Sequence, residues 1–263
     1  MKTNKSCKFK SEATQKEHFN RLAELYEAHY DSPENGIYRD RFINKHLFKG
    51  INLKGAKVLE AMCGSGQTTG FLLANGAEVT GLDISPEFIE RFKKRWPQAE
   101  CVTGSILNTG FPDNYFDVVV IVGGLHHVHP AVGEAVDEVY RVLKPGGYFS
   151  FMEPHAGSIP DVIRKAWYFF DKYFAENEAS VDLEMLKKEN KERFEFIAEF
   201  YFGNVAFLFV WNSMILRIPL WLKKIYSPAL IGIEALLNPL QGKRLSCLSV
   251  SRWRKKGLAA IEG

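Results

Sequence analysis

Hydrophobic residues recur along the chain at two different spacings. Between residues 56 and 155, short apolar runs alternate with stretches of helical periodicity. The runs predict strands at 57–60, 78–82, 99–103, 116–122 and 148–152, and the stretches between them predict helices through Leu73, from Ser85 and over 131–143. Strands that alternate with helices are typical of a parallel sheet covered on both faces. The predicted fold class is α/β, with a doubly wound, mostly parallel sheet.

The segments on either side of this core are helical in their spacing. Residues 15–48 predict two helices separated by a turn at 32–36. Residues 158–240 predict several helices rich in aromatics, and 245–253 alternates weakly, as a closing edge strand does. We expect four parts: an N-terminal helical lid (1–50), an α/β core (51–155), a helical substrate lobe (156–244), and a closing strand with a basic tail (245–263).

Composition limits the partners that we expect. The net charge is only +3 and Lys and Arg are spread along the chain, so no nucleic-acid partner is predicted. The four cysteines form no CxxC pair, and the first twenty residues contain no apolar signal segment. We therefore expect a cytoplasmic protein. The most apolar long segment, 205–222, is interrupted by Arg217, so no membrane-spanning helix is predicted.

Glycines and polar residues follow the ends of the predicted strands. The loop 64–66 reads Gly-Ser-Gly, and glycines at such a turn let a ligand approach the backbone. Asp83 ends the second strand, where a carboxylate can accept hydrogen bonds from a ribose diol. Ser105, Gly123 and Glu153 follow three other strands. Because ligands of doubly wound sheets bind beyond the carboxyl ends of the strands, these residues predict one crevice.

Five segments of the core resemble a known family in order and spacing. They are VLEAMCGSGQ (58–67), VTGLDIS (79–85), GSI (104–106), FDVVVIVGGLHHV (116–128) and RVLKPGGYFSFMEP (141–154). Together they resemble the class I S-adenosylmethionine-dependent methyltransferases, in the branch that includes small-molecule and quinone methyltransferases. The resemblance implies a Rossmann-like methyltransferase fold and S-adenosylmethionine as the cofactor.

The resemblance also implies roles for particular residues. The implied cofactor-binding set is Glu60, Ala61, Gly64, Ser65, Gly66, Asp83, Ile84, Ser105, Ile106 and Gly123. Glu60 and the two glycines would hold the methionine part, Asp83 the ribose, residues 84, 105 and 106 the adenine, and Gly123 would lie near the sulfonium. The chain departs from the family pattern at Met62, where a glycine is usual, and at Ser105, where an acidic residue is common.

Three histidines, His126, His127 and His129, follow the fourth predicted strand. No carboxylate lies within their loop, so no metal site is predicted. His127 and His126 are the catalytic candidates, because a histidine can deprotonate a hydroxyl or an amine. For His127 a structural role is an equal alternative, and for His126 it is the favoured one. Glu153 either orients a substrate hydroxyl or anchors the following loop, and we favour the anchor.

The predicted function is methyl transfer to oxygen or nitrogen of a small-molecule or lipid- or sugar-linked acceptor. A nicotinamide-dependent oxidoreductase and a non-catalytic cofactor-binding protein are the alternatives. The glycines at 64, 66 and 70 do not match the dinucleotide pattern G-x-G-x-x-G, which disfavours the oxidoreductase. The apolar segment 205–222 and the basic tail 252–256 leave three readings open: contact with the inner face of a membrane, a homodimer, or a buried lid helix beside a solvated tail.

Overall fold

The computed structural model describes residue 24, residues 27–168 and residues 180–257. Most of the first predicted helix, the aromatic residues 169–170 and the end of the predicted tail lie outside these residues. The helices are α1 (Pro33–Tyr38), α2 (Lys45–Leu47), α3 (Thr69–Ala74), α4 (Pro86–Arg95), α5 (Val132–Val142), α6 (Ile159–Tyr168), α7 (Leu183–Asn190) and α8 (Leu220–Leu245). The strands are β1 (Lys57–Ala61), β2 (Glu78–Asp83), β3 (Glu100–Thr103), β4 (Phe116–Val122), β5 (Leu143–Pro154), β6 (Phe194–Phe202) and β7 (Leu248–Lys255).

The seven strands form one sheet in the order β3-β2-β1-β4-β5-β7-β6. Strands β1 to β5 pair in parallel, and β7 runs antiparallel between β5 and β6. The chain reverses its strand order on either side of β1, so the loops after β1 and β4 flank a switch point where ligands of such sheets bind. The predicted α/β class with a mostly parallel sheet is confirmed.

Each central strand contributes side chains to two hydrophobic layers. Val58 lies in one cluster and the next residue, Leu59, in the other, and Val118 and Val119 divide in the same way. Successive side chains of a strand point to opposite faces, so a strand that is apolar throughout must be covered on both sides. This burial fixes the strand ends that carry the candidate site.

The prediction of helices throughout 158–240 is wrong over β6. Residues 194–202 form a strand, which pairs with β7 from Phe194↔Lys255 to Phe202↔Leu248. The strand predicted over 245–253 is present as β7, but it lies inside the sheet and β6 forms the edge. The expected helical lobe 156–244 therefore contributes the edge strand of the sheet.

Two further expectations are corrected near the ends of the chain. The turn predicted at 32–36 is the start of α1, because the Ser32 hydroxyl caps the helix by accepting from the Asn35 N–H at 3.4 Å. Most of the basic segment 252–256 belongs to strand β7 and not to a solvated tail. Trp253 is fully buried in the core, and the Lys255 ammonium donates to the carbonyl oxygens of Tyr140 and Leu143.

In the described part of the chain, no helix has the length and apolar character to cross a membrane.

Candidate functional site

The loop after β1 turns back sharply over the end of that strand. The Gly66 N–H donates to the Cys63 carbonyl at 2.9 Å, and Gly64 and Gly66 have φ angles of +54° and +83°. A Cβ on Gly66 would lie 2.6 Å from the ring of Trp96, whereas one on Gly64 would meet no atom within 4 Å. Gly66 is therefore required for packing against Trp96. The backbone at Gly64 borders open space, where a ligand can approach it.

The carboxylate of Asp83 faces this loop from the end of β2. Its Oδ2 accepts from the Gly64 N–H at 2.8 Å, and its Oδ1 accepts from the Ser85 N–H at 2.9 Å. Burial raises the pKa of Asp83, while these backbone donors and nearby His127 act against that rise. Each carboxylate oxygen can accept more than one hydrogen bond, so Asp83 has capacity for further donors.

The loop after β4 is held by a buried carboxylate from the end of β5. Glu153 is 1% exposed, and its Oε1 accepts from the N–H groups of Gly124 and Leu125 at 2.9 and 2.8 Å. Its Oε2 lies 2.7 Å from Nδ1 of His126. Glu153 therefore anchors the loop after β4, and not the loop following Glu153 that the sequence analysis favoured. The His127 ring packs on the His126 ring, with 3.9 Å between their centroids, and is partly exposed.

The structure thus places the predicted residues of three strands at the carboxyl end of the sheet. Gly64 follows β1, Asp83 ends β2 and Gly123 follows β4. Gly123 has a φ of +65°, and its N–H donates to the Met152 carbonyl at 2.7 Å. Within the described residues, no three His, Cys, Asp or Glu side chains come together as a metal-binding group. The polar groups at these strand ends include carboxylates, backbone N–H groups and imidazoles.

Comparisons with known proteins identify the family of the chain. Residues 59–151 match the family model described as a methyltransferase domain. A demethylmenaquinone methyltransferase from Lysinibacillus sphaericus is 31% identical over 169 residues, which cover 61% of this chain and 71% of that protein. The chain belongs to the class I S-adenosylmethionine-dependent methyltransferases. This membership confirms the predicted enzyme class and its cofactor, S-adenosylmethionine, and rejects the nicotinamide-dependent oxidoreductase.

Further comparisons place the methyltransferase among its relatives. The phthiotriol/phenolphthiotriol dimycocerosates methyltransferase of Mycobacterium tuberculosis is 38% identical over 121 residues, which cover 44% of this chain and 43% of that protein. Other relatives are matched over 50% and 51% of their own length. The structure of the N-methyltransferase NodS from Bradyrhizobium japonicum, in complex with S-adenosyl-L-homocysteine, has a TM-score of 0.55 at 17% identity and covers 86% of this chain and 90% of NodS. That likeness shows the shared fold.

The departure of this methyltransferase at Met62 has a visible structural consequence. Met62 has a φ of +56°, in the left-handed region that favours glycine. A glycine is usual at this position in the family, and the backbone here has the conformation that a glycine adopts without strain. The methionine side chain packs against the cluster around Leu59 and Ile121. The loop therefore keeps its shape without the usual glycine.

Glu60 is bound to the protein itself rather than directed into open space. It is 4% exposed, its Oε1 accepts from the Thr68 N–H at 2.9 Å, and its Oε2 accepts from the Thr69 hydroxyl at 2.5 Å. Burial raises the pKa of Glu60 to about 7. Glu60 thus ties the end of β1 to the start of α3. Its predicted contact with the methionine part stays a prediction.

The other implied cofactor residues differ in exposure. Ala61 and Ile106 are buried in the core, and Ile84 is partly exposed. The partly exposed Ser105 accepts from the Leu107 N–H at 3.0 Å through its hydroxyl. The buried Ser65 donates its hydroxyl to Asp31 Oδ2 at 3.3 Å. The contacts of these residues with the cofactor stay predictions.

Two charged residues of the N-terminal segment reach the glycine loop, and sequence reasoning missed both. The buried Arg39 donates to the Gln67 carbonyl at 2.7 Å and to the Tyr30 carbonyl at 2.8 Å. Asp31 accepts from Ser65 and pairs with Arg95. Among the described residues, Nε of Arg39 and Oδ1 of Asp31 are buried without a hydrogen-bond partner. The signal in the sequence that could have pointed to these residues was the presence of two opposite charges, Asp31 and Arg39, eight residues apart in the predicted lid.

Proposed function

We propose that this methyltransferase transfers the methyl group of S-adenosylmethionine to an oxygen or nitrogen atom of a lipid-type acceptor. The observation that supports the proposal is the contact of Gly64 with Asp83, close to His127 of the loop after β4, in a chain that belongs to this family. The acceptor class is supported by the relatives, which are named for demethylmenaquinone and for phthiotriol and phenolphthiotriol dimycocerosates.

Asp83 is the proposed partner of the cofactor ribose. Its two oxygens are held in place by the N–H groups of Gly64 and Ser85, and both retain lone pairs for hydroxyl donors. The same contact with Gly64 holds the loop close to the carboxylate. A ligand bound to Asp83 would therefore also lie against the backbone at Gly64, where a Cβ would meet no other atom.

Arg39 and Asp31 are the proposed partners of the amino-acid part of the cofactor. Burying a polar atom without a partner costs free energy, so two such atoms beside one loop require an explanation. The cofactor carries an α-carboxylate, which can accept from Nε of Arg39, and an α-ammonium, which can donate to Oδ1 of Asp31. The two side chains approach the same loop, at Gln67 and Ser65. The charges present thus fit a zwitterion.

The protein itself has few chemical tasks in this reaction. The sulfonium supplies an activated methyl group when the cofactor is bound, so the protein has to align the acceptor and exclude water. His127 lies near Asp83 at the end of β4 and is partly exposed. We assign to His127 the role of the general base that removes the proton of an acceptor hydroxyl. Glu153 and His126 hold the loop that carries it.

The proposed function is tested with S-adenosylmethionine labelled in its methyl group. The protein is incubated with the labelled cofactor and with either the lipid extract or the aqueous extract of bacterial cells. We expect label in the organic phase of the lipid extract, and none when Asp83→Asn protein is used. Label confined to the aqueous extract would contradict the lipid-type acceptor, and label in neither extract would contradict methyl transfer.

A further inference from the structure

The long helix α8 has its polar and apolar faces reversed. Its buried residues are Lys223, Ser227, Ile231, Glu234 and Asn238, of which four are polar. Its exposed large apolar residues are Trp221, Leu222, Ile225, Ile233, Leu236, Leu237, Leu240 and Leu245. Surface helices of globular proteins normally bury the apolar face and expose the polar one. We call the exposed set the α8 apolar face.

The reversed arrangement is stabilised by specific hydrogen bonds under the helix. Glu234 is fully buried and accepts from the Tyr38 hydroxyl at 2.6 Å and from the Phe207 N–H at 2.8 Å. The fully buried Lys223 ammonium donates to the His29 carbonyl at 3.0 Å, and Asn238 accepts from Asn204 at 3.0 Å. These contacts fix the rotation of α8 about its axis as far as Gly242, where the backbone leaves the helical conformation, so the apolar residues before Gly242 must face outward.

The apolar surface extends beyond this one helix. The neighbouring helix α6 contacts α8 and exposes Ile159, Val162 and Ile163, while its acid, Asp161, is buried and accepts from the Gly157 N–H at 3.0 Å. Leu240 and Leu236 are 82% and 76% exposed. Large contiguous apolar patches on a protein surface mark sites of contact with another apolar partner.

The charges around the α8 apolar face identify the kind of partner. Every exposed charged residue of α8 is a cation: Lys224, Lys243 and Arg244. Lys243 pairs with Glu184 of α7. The one acid of α8, Glu234, is buried on the inner face of the helix. In a symmetric dimer through this face, the cations of each copy would meet a helix surface that exposes no acid. Lipid phosphates provide the missing negative charge, and apolar residues beside cations are typical of interfacial helices.

We propose that the α8 apolar face is a docking surface for an anionic lipid bilayer. The helix lies in the plane of the bilayer surface and inserts Trp221, Ile225, Leu236 and Leu240 among the acyl chains, with Lys224 and Arg244 at the phosphates. The inference goes beyond the proposed function, since it concerns where the protein resides and not what it methylates. It also replaces the expected membrane-contact segments: Trp253 of the basic tail is buried, and within 205–222 only the last residues belong to this face.

The test is sedimentation of the purified full chain with lipid vesicles. We expect the protein to bind vesicles made from an equal mixture of phosphatidylcholine and phosphatidylglycerol. It should bind vesicles of phosphatidylcholine alone more weakly, and salt should release it from the mixed vesicles. Ile225→Glu with Leu236→Glu should weaken binding at least about tenfold. Lys224→Glu with Arg244→Glu should weaken it by about fivefold for each cation removed. Val102→Glu is the matched control, since Val102 is exposed on β3 at the opposite edge of the sheet, and it should bind as wild type does.

Two further measurements keep the proposal falsifiable. Leu236→Ala with Leu240→Ala replaces the glutamate variants if those lower the melting temperature. Brominated lipids should quench more fluorescence in the wild type than in Trp221→Phe. Wild-type protein that stays in the supernatant at low salt overturns the proposal. So does a dimer in solution that Leu236→Glu dissociates, because the face is then covered by a second copy.

Discussion

Nδ1 of His126 lies 2.7 Å from Oε2 of the buried Glu153, and the same carboxylate accepts from the backbone of the loop that follows β4. One side chain at the end of β5 thus sets both the backbone of this loop and the orientation of one of its rings. A glutamine can accept through its oxygen only, so it cannot satisfy all of these donors.

We expect Glu153→Gln to destabilise the fold by about 1–3 kcal/mol, the cost of leaving buried donors without partners. Turnover should fall as well, because the loop that carries His127 loses its anchor. Thermal unfolding and steady-state kinetics measure the two effects. Glu87→Gln, an exchange at a more exposed glutamate, serves as the control. A variant with wild-type stability would show that the anchor is not needed.

His127→Ala should lower turnover by about 10²–10⁴, the range for general acid–base catalysis. Its cofactor dissociation constant should stay close to that of the wild type, because the proposed cofactor contacts are made by other residues. His126→Ala should instead lower the melting temperature, since it leaves the Glu153 carboxylate buried without its imidazole partner. Near-normal turnover in a stable His127→Ala protein would remove the catalytic role and leave alignment alone as the mechanism.

The two glycines of the loop should respond differently to the same substitution. Gly64→Ala adds a methyl group to open space at a φ of +54°, so we expect roughly 1 kcal/mol of strain and a marked loss of cofactor affinity. Gly66→Ala forces its methyl group into Trp96, so a much larger fall in melting temperature should accompany any loss of binding. Calorimetry and thermal unfolding separate the two. Equal losses of stability would mean that Gly64 is also a packing glycine.

Glu60 should give the stability of the ligand-free protein an unusual pH dependence. Burial raises its pKa from 4.5 to about 7, so the folded protein holds a proton that the unfolded chain has lost. The stability that this proton contributes is fully present below about pH 4.5 and is lost as the pH rises to about 7. It amounts to up to roughly 3 kcal/mol.

The comparison is between the wild type and Glu60→Gln, which cannot ionise. We expect the free energy of unfolding of the wild type to fall relative to that of the variant between pH 5 and 7, as measured by denaturant titration. Parallel curves over this range would show that Glu60 keeps an ordinary pKa in the folded protein.

Local patterns were sufficient to predict the core but not the edge of the sheet. Strands β1 to β5 could be predicted from apolar runs between turn residues. The location of the candidate site could be predicted from the glycines and polar residues at the ends of those strands. Strand β6 was missed although Phe194, Phe196, Ala198, Phe200 and Phe202 recur at every second position, because its neighbours in sequence are helical. A two-residue period inside the segment was the signal that could have found it.

Contacts between distant parts of the chain could not be predicted in this way. The insertion of β7 between β5 and β6 is a matter of sheet pairing, which one sequence does not encode locally. The approach of Arg39 to Gln67 depends on how the N-terminal segment folds over the core. The reversed faces of α8 likewise depend on Tyr38 and on Phe207, far away in sequence, as partners of Glu234.

The most direct test of the central claim is calorimetric titration with S-adenosylhomocysteine and with methylthioadenosine, which lacks the amino-acid part. We predict that Arg39→Met weakens binding of S-adenosylhomocysteine about 10- to 100-fold, the scale of charge-assisted hydrogen bonds, and leaves binding of methylthioadenosine unchanged. Asp83→Asn should weaken both ligands, because both contain the ribose. If both variants bind both ligands as tightly as the wild type does, the crevice formed by the glycine loop, Asp83 and Arg39 is not the cofactor site.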